Sequence, residues 1–292
     1  MTGLANPVNQ RPLALKAVAL LSAIRWYNIL LTVFAQYLSA YTIMQHSGMS
    51  FYHMLTDYKL HAIVLASVFS IAGGFIINNF YDFEKDLINR PYATLFNRII
   101  SKRTTLNLYI AFNLIALLIA LSASVKIGFF FFLFTMALWF YSHKLQKLPF
   151  IKEFAASILS VASFFAIVLH YNRFYNFIFI YGVFFMSLVY TRELIKQFMN
   201  YTGDKASNIS SIPVLLGIEK ATYFSMFMMV ISAFCGLCIL FVFGFGRGNY
   251  FLMTAVAAIV INIALLPKQQ YRTINTVYKI LIVLGIINIL MV

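Results

Sequence analysis

Asn78-Asn79-Phe80-Tyr81-Asp82-Phe83-Glu84-Lys85-Asp86, followed by Leu87-Ile88-Asn89-Arg90-Pro91, closes a strongly apolar segment that runs from Ala62 to Ile77. Charged residues are only 10% of the chain, so three carboxylates and two carboxamides at the edge of an apolar run call for a reason. If the segment stays helical, Asn78, Asp82 and Asp86 stand at i, i+4 and i+8 and share one stripe. Oxygen ligands in such a stripe suit a hard divalent cation such as Mg2+, which keeps bound water and takes further oxygens from phosphate. Read functionally, this is a Mg2+ site that grips a diphosphate. The plainer reading is a helix end with solvated charges. Carboxylates near lipid are costly, and a random helix end rarely shows this spacing.

Outward from this stretch, the chain reads as a polytopic membrane protein. It is 62% hydrophobic, and its apolar runs are long enough to cross a bilayer, which takes about 20 residues each. Nine spans are expected, at 16–44, 58–81, 104–124, 128–142, 150–170, 174–197, 221–244, 250–266 and 273–291. Helices satisfy their own backbone in lipid, and the alternation of a barrel strand is missing. The expected fold is all-α: a bundle of nine transmembrane helices in a single domain, 1–292, with polar loops at about 82–103 and 196–220.

The net charge of +14 invites a nucleic-acid reading, which its distribution rejects. With nine spans and a cytoplasmic N-terminus, 18 of the 22 Lys and Arg fall on the cytoplasmic side, leaving only Lys59, Lys126, Arg173 and Arg247 opposite. This positive-inside asymmetry fixes the orientation and puts the C-terminus on the other side. The basic charge then serves the membrane face and any anionic substrate that meets it. Seven of the eight acidic residues share that side, all except Asp57, which suggests a single polar, catalytic face.

Other features carry less. The N-terminal apolar stretch is too long for a cleaved signal peptide and contains Arg25, Trp26 and Asn28. Cys235 and Cys238 form a lone CxxC inside a span, with no further Cys or nearby His to complete a zinc site. Residues 244–248 resemble a Gly-rich phosphate loop only superficially and read as a tight turn.

A second polar site runs Arg192-Glu193-Leu194-Ile195-Lys196-Gln197-Phe198-Met199-Asn200-Tyr201-Thr202-Gly203-Asp204-Lys205. On a helix, Lys196, Asn200 and Asp204 form one stripe, with Glu193 and Gln197 beside it. It reads as the opposite wall of the same pocket, or as a basic membrane-surface loop. Asp82 or Asp86 is then expected across one cytoplasm-facing cavity from Asn200 or Asp204. A third set, Tyr141-Ser142-His143-Lys144 with Lys147, Lys152 and Glu153, reads equally as an attractor for an anion and as topology-setting charge.

At these residues the chain resembles the UbiA superfamily of intramembrane prenyltransferases, over nearly its whole length. Members typically read N-D-x-x-D-x-x-x-D and then N-R-P after the second span; Asn78, Asn79, Asp82, Asp86, Asn89, Arg90 and Pro91 stand there. After the sixth span members often read R-E-I-I-K-D-x-E-D-x-E-G-D and later L-P-V-L-L-G, matched by Arg192 to Asp204 and by Ile212-Pro213-Val214-Leu215-Leu216-Gly217. Tyr141-Ser142-His143-Lys144-Leu145 matches a Y-S-x-K-L stretch.

The resemblance implies transfer of a polyprenyl group from its diphosphate to an aromatic or other lipophilic acceptor within the membrane, with Mg2+ as cofactor. It implies Asp82, Asp86 and Asp204 as metal ligands, with Asn78 or Glu84 as further candidates and Asn200 and Gln197 as weak neutral ones. Asn78, Arg90, Lys196 and Asn200 would meet the diphosphate, and Lys144 would join Asp82 and Asp86 in catalysis. A diphosphate leaves well only when its charge is neutralised, and a dry aromatic pocket suits the resulting allylic cation.

The chain also departs from the pattern. Asn79 stands where an Asp is usual, and Gln197 and Asn200 replace the leading carboxylates of the second motif. Met199 and Thr202 replace common acids, Gln146 a common Lys, and Glu153 a common Asn. Neutral amides are weaker Mg2+ ligands than carboxylates. The alternative is therefore a catalytically silent relative that binds an isoprenoid or a partner enzyme in the membrane.

Overall fold

The computed structural model describes residues 13–48, 50–83, 86–87, 94, 99–206, 209–243 and 249–291. Among them there are helices and turns and no strand. The long helices are α1 (Leu13–Ala23), α2 (Trp26–His46), α4 (Tyr58–Tyr81), α5 (Lys102–Ala123), α6 (Val125–His143), α7 (Ile151–Tyr171), α8 (Asn176–Ala206), α10 (Ile218–Phe243), α11 (Asn249–Leu265) and α12 (Tyr271–Asn288). Two short helices, α3 (Phe51–Thr56) and α9 (Ile212–Leu216), sit in connections.

A helix lies at each of the nine expected span positions. By length and composition, six of the described helices can cross a membrane, and the bent pair α1–α2 makes a seventh. α11 is apolar but has only 17 residues. α12 has 18 and carries Arg272, Asn275, Lys279 and Asn288.

Two boundaries differ from the sequence reading. The first span is two helices meeting at 56°. Arg25, at the break, takes a left-handed φ of 52°. No Pro or Gly marks that break. α8 continues for nine residues beyond Gln197, so Lys196, Asn200 and Asp204 lie on helix rather than loop.

The chain forms two compact units, one of residues 1–33 and 61–143, the other of 34–60 and 144–292. In the first, α4 lies against α5 and α6 through glycines. A Cβ on Gly73 would come within 3.2 Å of Asn113 Nδ2, and one on Gly74 within 3.2 Å of Leu138 Cδ1. Small residues let membrane helices approach this closely without a hydrophobic drive between them. The packing seats α4 one turn before its polar end. Ser101 caps α5, its hydroxyl accepting from Thr104 N–H at 3.1 Å.

In the second unit α8 is central, packing on α7, α10 and α12. Phe184, Leu188 and Ile195 of α8 meet Met229 of α10, Ile259 of α11 and Ile274, Tyr278 and Leu281 of α12. Asp57 starts α4 by accepting from the N–H of Lys59 and Leu60 at 3.0 and 3.2 Å. Its other oxygen accepts from His170 at 2.9 Å and Tyr171 at 3.2 Å, at the C-terminal end of α7. Partial burial pushes the Asp57 carboxyl up. The His170 hydrogen bond and charge, the Leu60 N–H and the Tyr171 hydroxyl together outweigh that and hold it below its ordinary value.

Candidate functional site

The first motif is built on the end of α4 in the first unit. The helical hydrogen bonds carry on past Tyr81: Asp82 N–H donates to Asn78 C=O at 2.9 Å, and Asp86 N–H to Asp82 C=O at 2.8 Å. Asn78, Asp82 and Asp86 therefore keep helical spacing and share a face, as the sequence required. The Asn78 amide donates to Asp82 Oδ2 at 2.8 Å and fixes that carboxylate's rotamer. Both acids are half-buried. Glu84, Asn89, Arg90 and Pro91 lie outside the described residues.

Asn79 has a different task. Its amide donates to the carbonyl oxygen of Ala23 at 2.9 Å. Ala23 is the last residue of α1, at the end where carbonyls run short of helical partners. A carboxylate at 79 has no hydrogen to give and could not make this bond. The same bend carries Arg25, whose guanidinium lies 5.1 Å from the centre of the Phe75 ring, one helical turn before Asn79. Nothing in the local sequence ties Arg25 to Phe75.

Tyr81 and the end of α6 form an aromatic cluster beside the motif. His143 Nδ1 and the Tyr81 hydroxyl are 3.2 Å apart. The His143 ring is stacked on Trp139 at 5.2 Å with 2° between planes.

The second motif belongs to the second unit. Lys196 sits in a tight ion pair with Glu193, its ammonium 2.8 and 2.6 Å from the two carboxylate oxygens. Arg192 Nη1 is 3.8 Å from the same acid. Asn200 is half-buried and Asp204 buried on the following turns of α8. Ile209 N–H donates to Asp204 C=O at 2.9 Å and turns the chain back toward α9. Lys144 is exposed at the first residue after α6, where a 3-10 turn, Leu145–Lys147, begins.

Gln197, read from sequence as a weak metal ligand, is used otherwise. Its carbonyl oxygen accepts from Ile212 N–H at 2.7 Å, and its amide donates to Glu153. The atom that would ligate a cation already holds the start of α9.

Among the described residues no three Asp, Glu, His or Cys side chains converge on one point. The donors are nonetheless hard oxygens on successive turns, which fits a cation that completes its shell with phosphate and water.

A model of the UbiA prenyltransferase family matches residues 29–282. The chain belongs to that family. It is a membrane prenyltransferase, acting by transfer of a prenyl group to a lipophilic acceptor. Among UbiA relatives, a digeranylgeranylglyceryl phosphate synthase from Methanobrevibacter smithii is 25% identical over 235 residues, covering 77% of this chain and 82% of its own. Another from Thermococcus gammatolerans is 27% identical over 200 residues, 68% of this chain and 71% of its own. A solved structure of digeranylgeranylglyceryl phosphate synthase superposes with a TM-score of 0.71 at 20% identity, over 95% of this chain and 99% of that one. A UbiA homolog from Archaeoglobus fulgidus bound to GPP and Mg2+ gives 0.68 at 17% identity, over 94% and 100%. These two likenesses establish the shared UbiA fold.

Proposed function

We propose that this UbiA prenyltransferase is a competent Mg2+-dependent enzyme whose first motif carries most of the metal binding. Asp82 and Asp86 are the principal ligands, and Asp204 is the contribution of the second motif. Asn78, Asn200, Arg90 and Lys196 bind the diphosphate, and Lys144 assists its departure. Mg2+ neutralises the leaving diphosphate when bound there.

The chain's own residues supply the rest. Asn78 holds Asp82 in one rotamer. Lys196 is held in place by Glu193, its ammonium 2.8 and 2.6 Å from the two carboxylate oxygens, and brings a positive charge to the second motif. Aromatic side chains give the developing allylic cation a dry environment.

The observation that carries this reading is the pair of i+4 hydrogen bonds that set Asn78, Asp82 and Asp86 at helical spacing, Asp82 N–H to Asn78 C=O and Asp86 N–H to Asp82 C=O. A silent relative needs no such register. The neutral residues at 79 and 197 do not favour silence either, because both have hydrogen bonds that only an amide can make.

The acceptor we propose is a glyceryl phosphate lipid, after the names of the relatives above. The polar motifs and the N-terminus face the cytoplasm and the C-terminus the other side, on the strength of the 18-to-4 charge split. Reporter fusions at both ends decide that orientation; both termini on one side would refute it.

The test of the metal assignment is a Mg2+ titration of prenyl diphosphate analogue binding in wild type and Asp82→Ala. Metal-dependent binding lost in Asp82→Ala supports the assignment. Binding that survives unchanged rejects it.

A further inference from the structure

The proposed function leaves one buried acid unexplained. Glu153, in the first turn of α7, is 1% exposed, and Gln197 of α8 is 3% exposed. The Gln197 amide donates to Glu153 Oε1, while its carbonyl takes the N–H of Ile212. Ser211, the residue preceding α9, offers that helix no side-chain hydrogen bond, so Gln197 satisfies an otherwise orphaned N–H from across the loop. Asn200 and Asp204 lie within the segment that this bond closes. A second closure, Ile209 N–H to Asp204 C=O, lies inside it.

Burying a carboxylate costs several kcal/mol unless its partners compensate, at roughly the scale of a lost ion pair. Here compensation is incomplete. The backbone N–H groups of Phe150 and Glu153 face the carboxylate at the start of α7 and the Lys152 ammonium is 3.8 Å from Oε1, while Oε2 meets no hydrogen-bond partner among the described residues. The two positions are also inverted against the motifs that the sequence resembles, where an acid is often found at 197 and Asn is common at 153.

We infer that Glu153 and Gln197 are one exchanged pair, carboxylate and carboxamide having traded helices. Glu153 is then a positioning residue for the second motif. It acts through Gln197 and Ile212 on the placement of Asn200 and Asp204. The inference rests on the proposed function for its catalytic meaning. The exchange preserves the hydrogen-bonded clamp between α7, α8 and α9.

The test uses the full-length chain and three variants: Gln197→Glu, Glu153→Gln and the double variant. Gln197→Glu alone sets two buried carboxylates against each other with no hydrogen between them. Its kcat is expected to fall about tenfold or more, with a lower Tm. In the double variant, Gln at 153 donates to Glu at 197, whose second oxygen still accepts from Ile212. Its kcat is expected within about threefold of wild type. Half-saturating Mg2+ is expected to stay near the wild-type value in the double variant, where both oxygens at 197 are engaged, and to rise about tenfold in Gln197→Glu, where the second motif is displaced, while KM for the prenyl diphosphate at saturating Mg2+ stays nearly constant in both. Glu153→Gln keeps an acceptor for Gln197 and is expected to fold.

A double variant no better than Gln197→Glu overturns the inference, as does a Mg2+ requirement that is the same in wild type and Gln197→Glu. If Gln197→Glu does not fold, the folded yield and Tm of the double variant read the same coupling, and equal failure of both overturns it. A wild type that transfers no prenyl group defeats the proposed function, and the Tm comparison still judges the pair by itself.

Discussion

Replacing Asn79 by Asp, the residue that the family pattern carries there, is predicted to destabilise this chain rather than repair it. The Asn79 amide is the donor to the Ala23 carbonyl, and Ala23 is 5% exposed. Asn79→Ala leaves that carbonyl unpaired, at a cost of about 1–2 kcal/mol, since Asn79 itself is half-buried. Asn79→Asp loses the same bond and adds an anion against the negative end of α1. A unit charge about 3 Å from about half a charge, at an effective dielectric of about 20, is worth about 3 kcal/mol before water screens it. Rotation of the Asp side chain and solvent reduce that to about 1–2 kcal/mol. At about 2–4 °C per kcal/mol, Asn79→Ala should lower Tm by about 4 °C and Asn79→Asp by about 8 °C.

The assay is thermal unfolding in detergent at neutral pH, repeated in acid. Protonated Asp can donate its O–H to Ala23, and an anion disfavoured by the fold has a raised folded pKa, so the gap between Asn79→Asp and wild type should close as pH falls through that raised value toward about 4, the unfolded value. An Asn79→Asp variant as stable as wild type at neutral pH would refute the reasoning. It would mean that residue 79 is a vacated metal ligand and that its bond to α1 is incidental.

Two further outcomes follow from the same geometry. Asn200→Asp should lower half-saturating Mg2+ by about tenfold, because a half-buried amide on the second motif becomes an anionic ligand; an unchanged titration would remove Asn200 from the metal's surroundings. The Asp57 carboxyl is held below its ordinary value, so its contribution to stability is present above about pH 4, the unfolded value, and disappears as pH falls through the lower folded value. Asp57→Asn should therefore lower Tm at neutral pH, with the difference from wild type closing in acid. A difference that stays constant down to pH values below the carboxylate range would show that titration of Asp57 contributes nothing.

Much of this was legible in the sequence because lipid leaves few choices. An apolar run of the length between Tyr58 and Tyr81 has to be a helix, and the expected and observed limits of α4 coincide. The register of Asn78, Asp82 and Asp86 followed from the same periodicity. The bend at Arg25 was not legible, because neither Gly nor Pro announces it and its carbonyl partner, Asn79, is 56 residues away. The continuation of α8 through Gly203 to Ala206 was hidden by polar residues that read as loop. The use of Gln197 depends on Glu153 and Ile212, neighbours only in space. One signal was available: an amide, unlike an acid, can donate. Asn79 and Gln197 both replaced acids, and both turn out to be donors.

The central claim is that the altered motifs still support Mg2+-dependent prenyl transfer. Release of inorganic diphosphate by the purified protein tests it most directly, with prenyl diphosphates of increasing chain length, with and without a glyceryl phosphate lipid acceptor. The account predicts release that requires Mg2+, rises with acceptor and is absent in Asp82→Ala. Folded wild-type protein that binds these diphosphates yet releases none, with any donor or acceptor, would contradict it and make the chain an isoprenoid-binding accessory of the membrane.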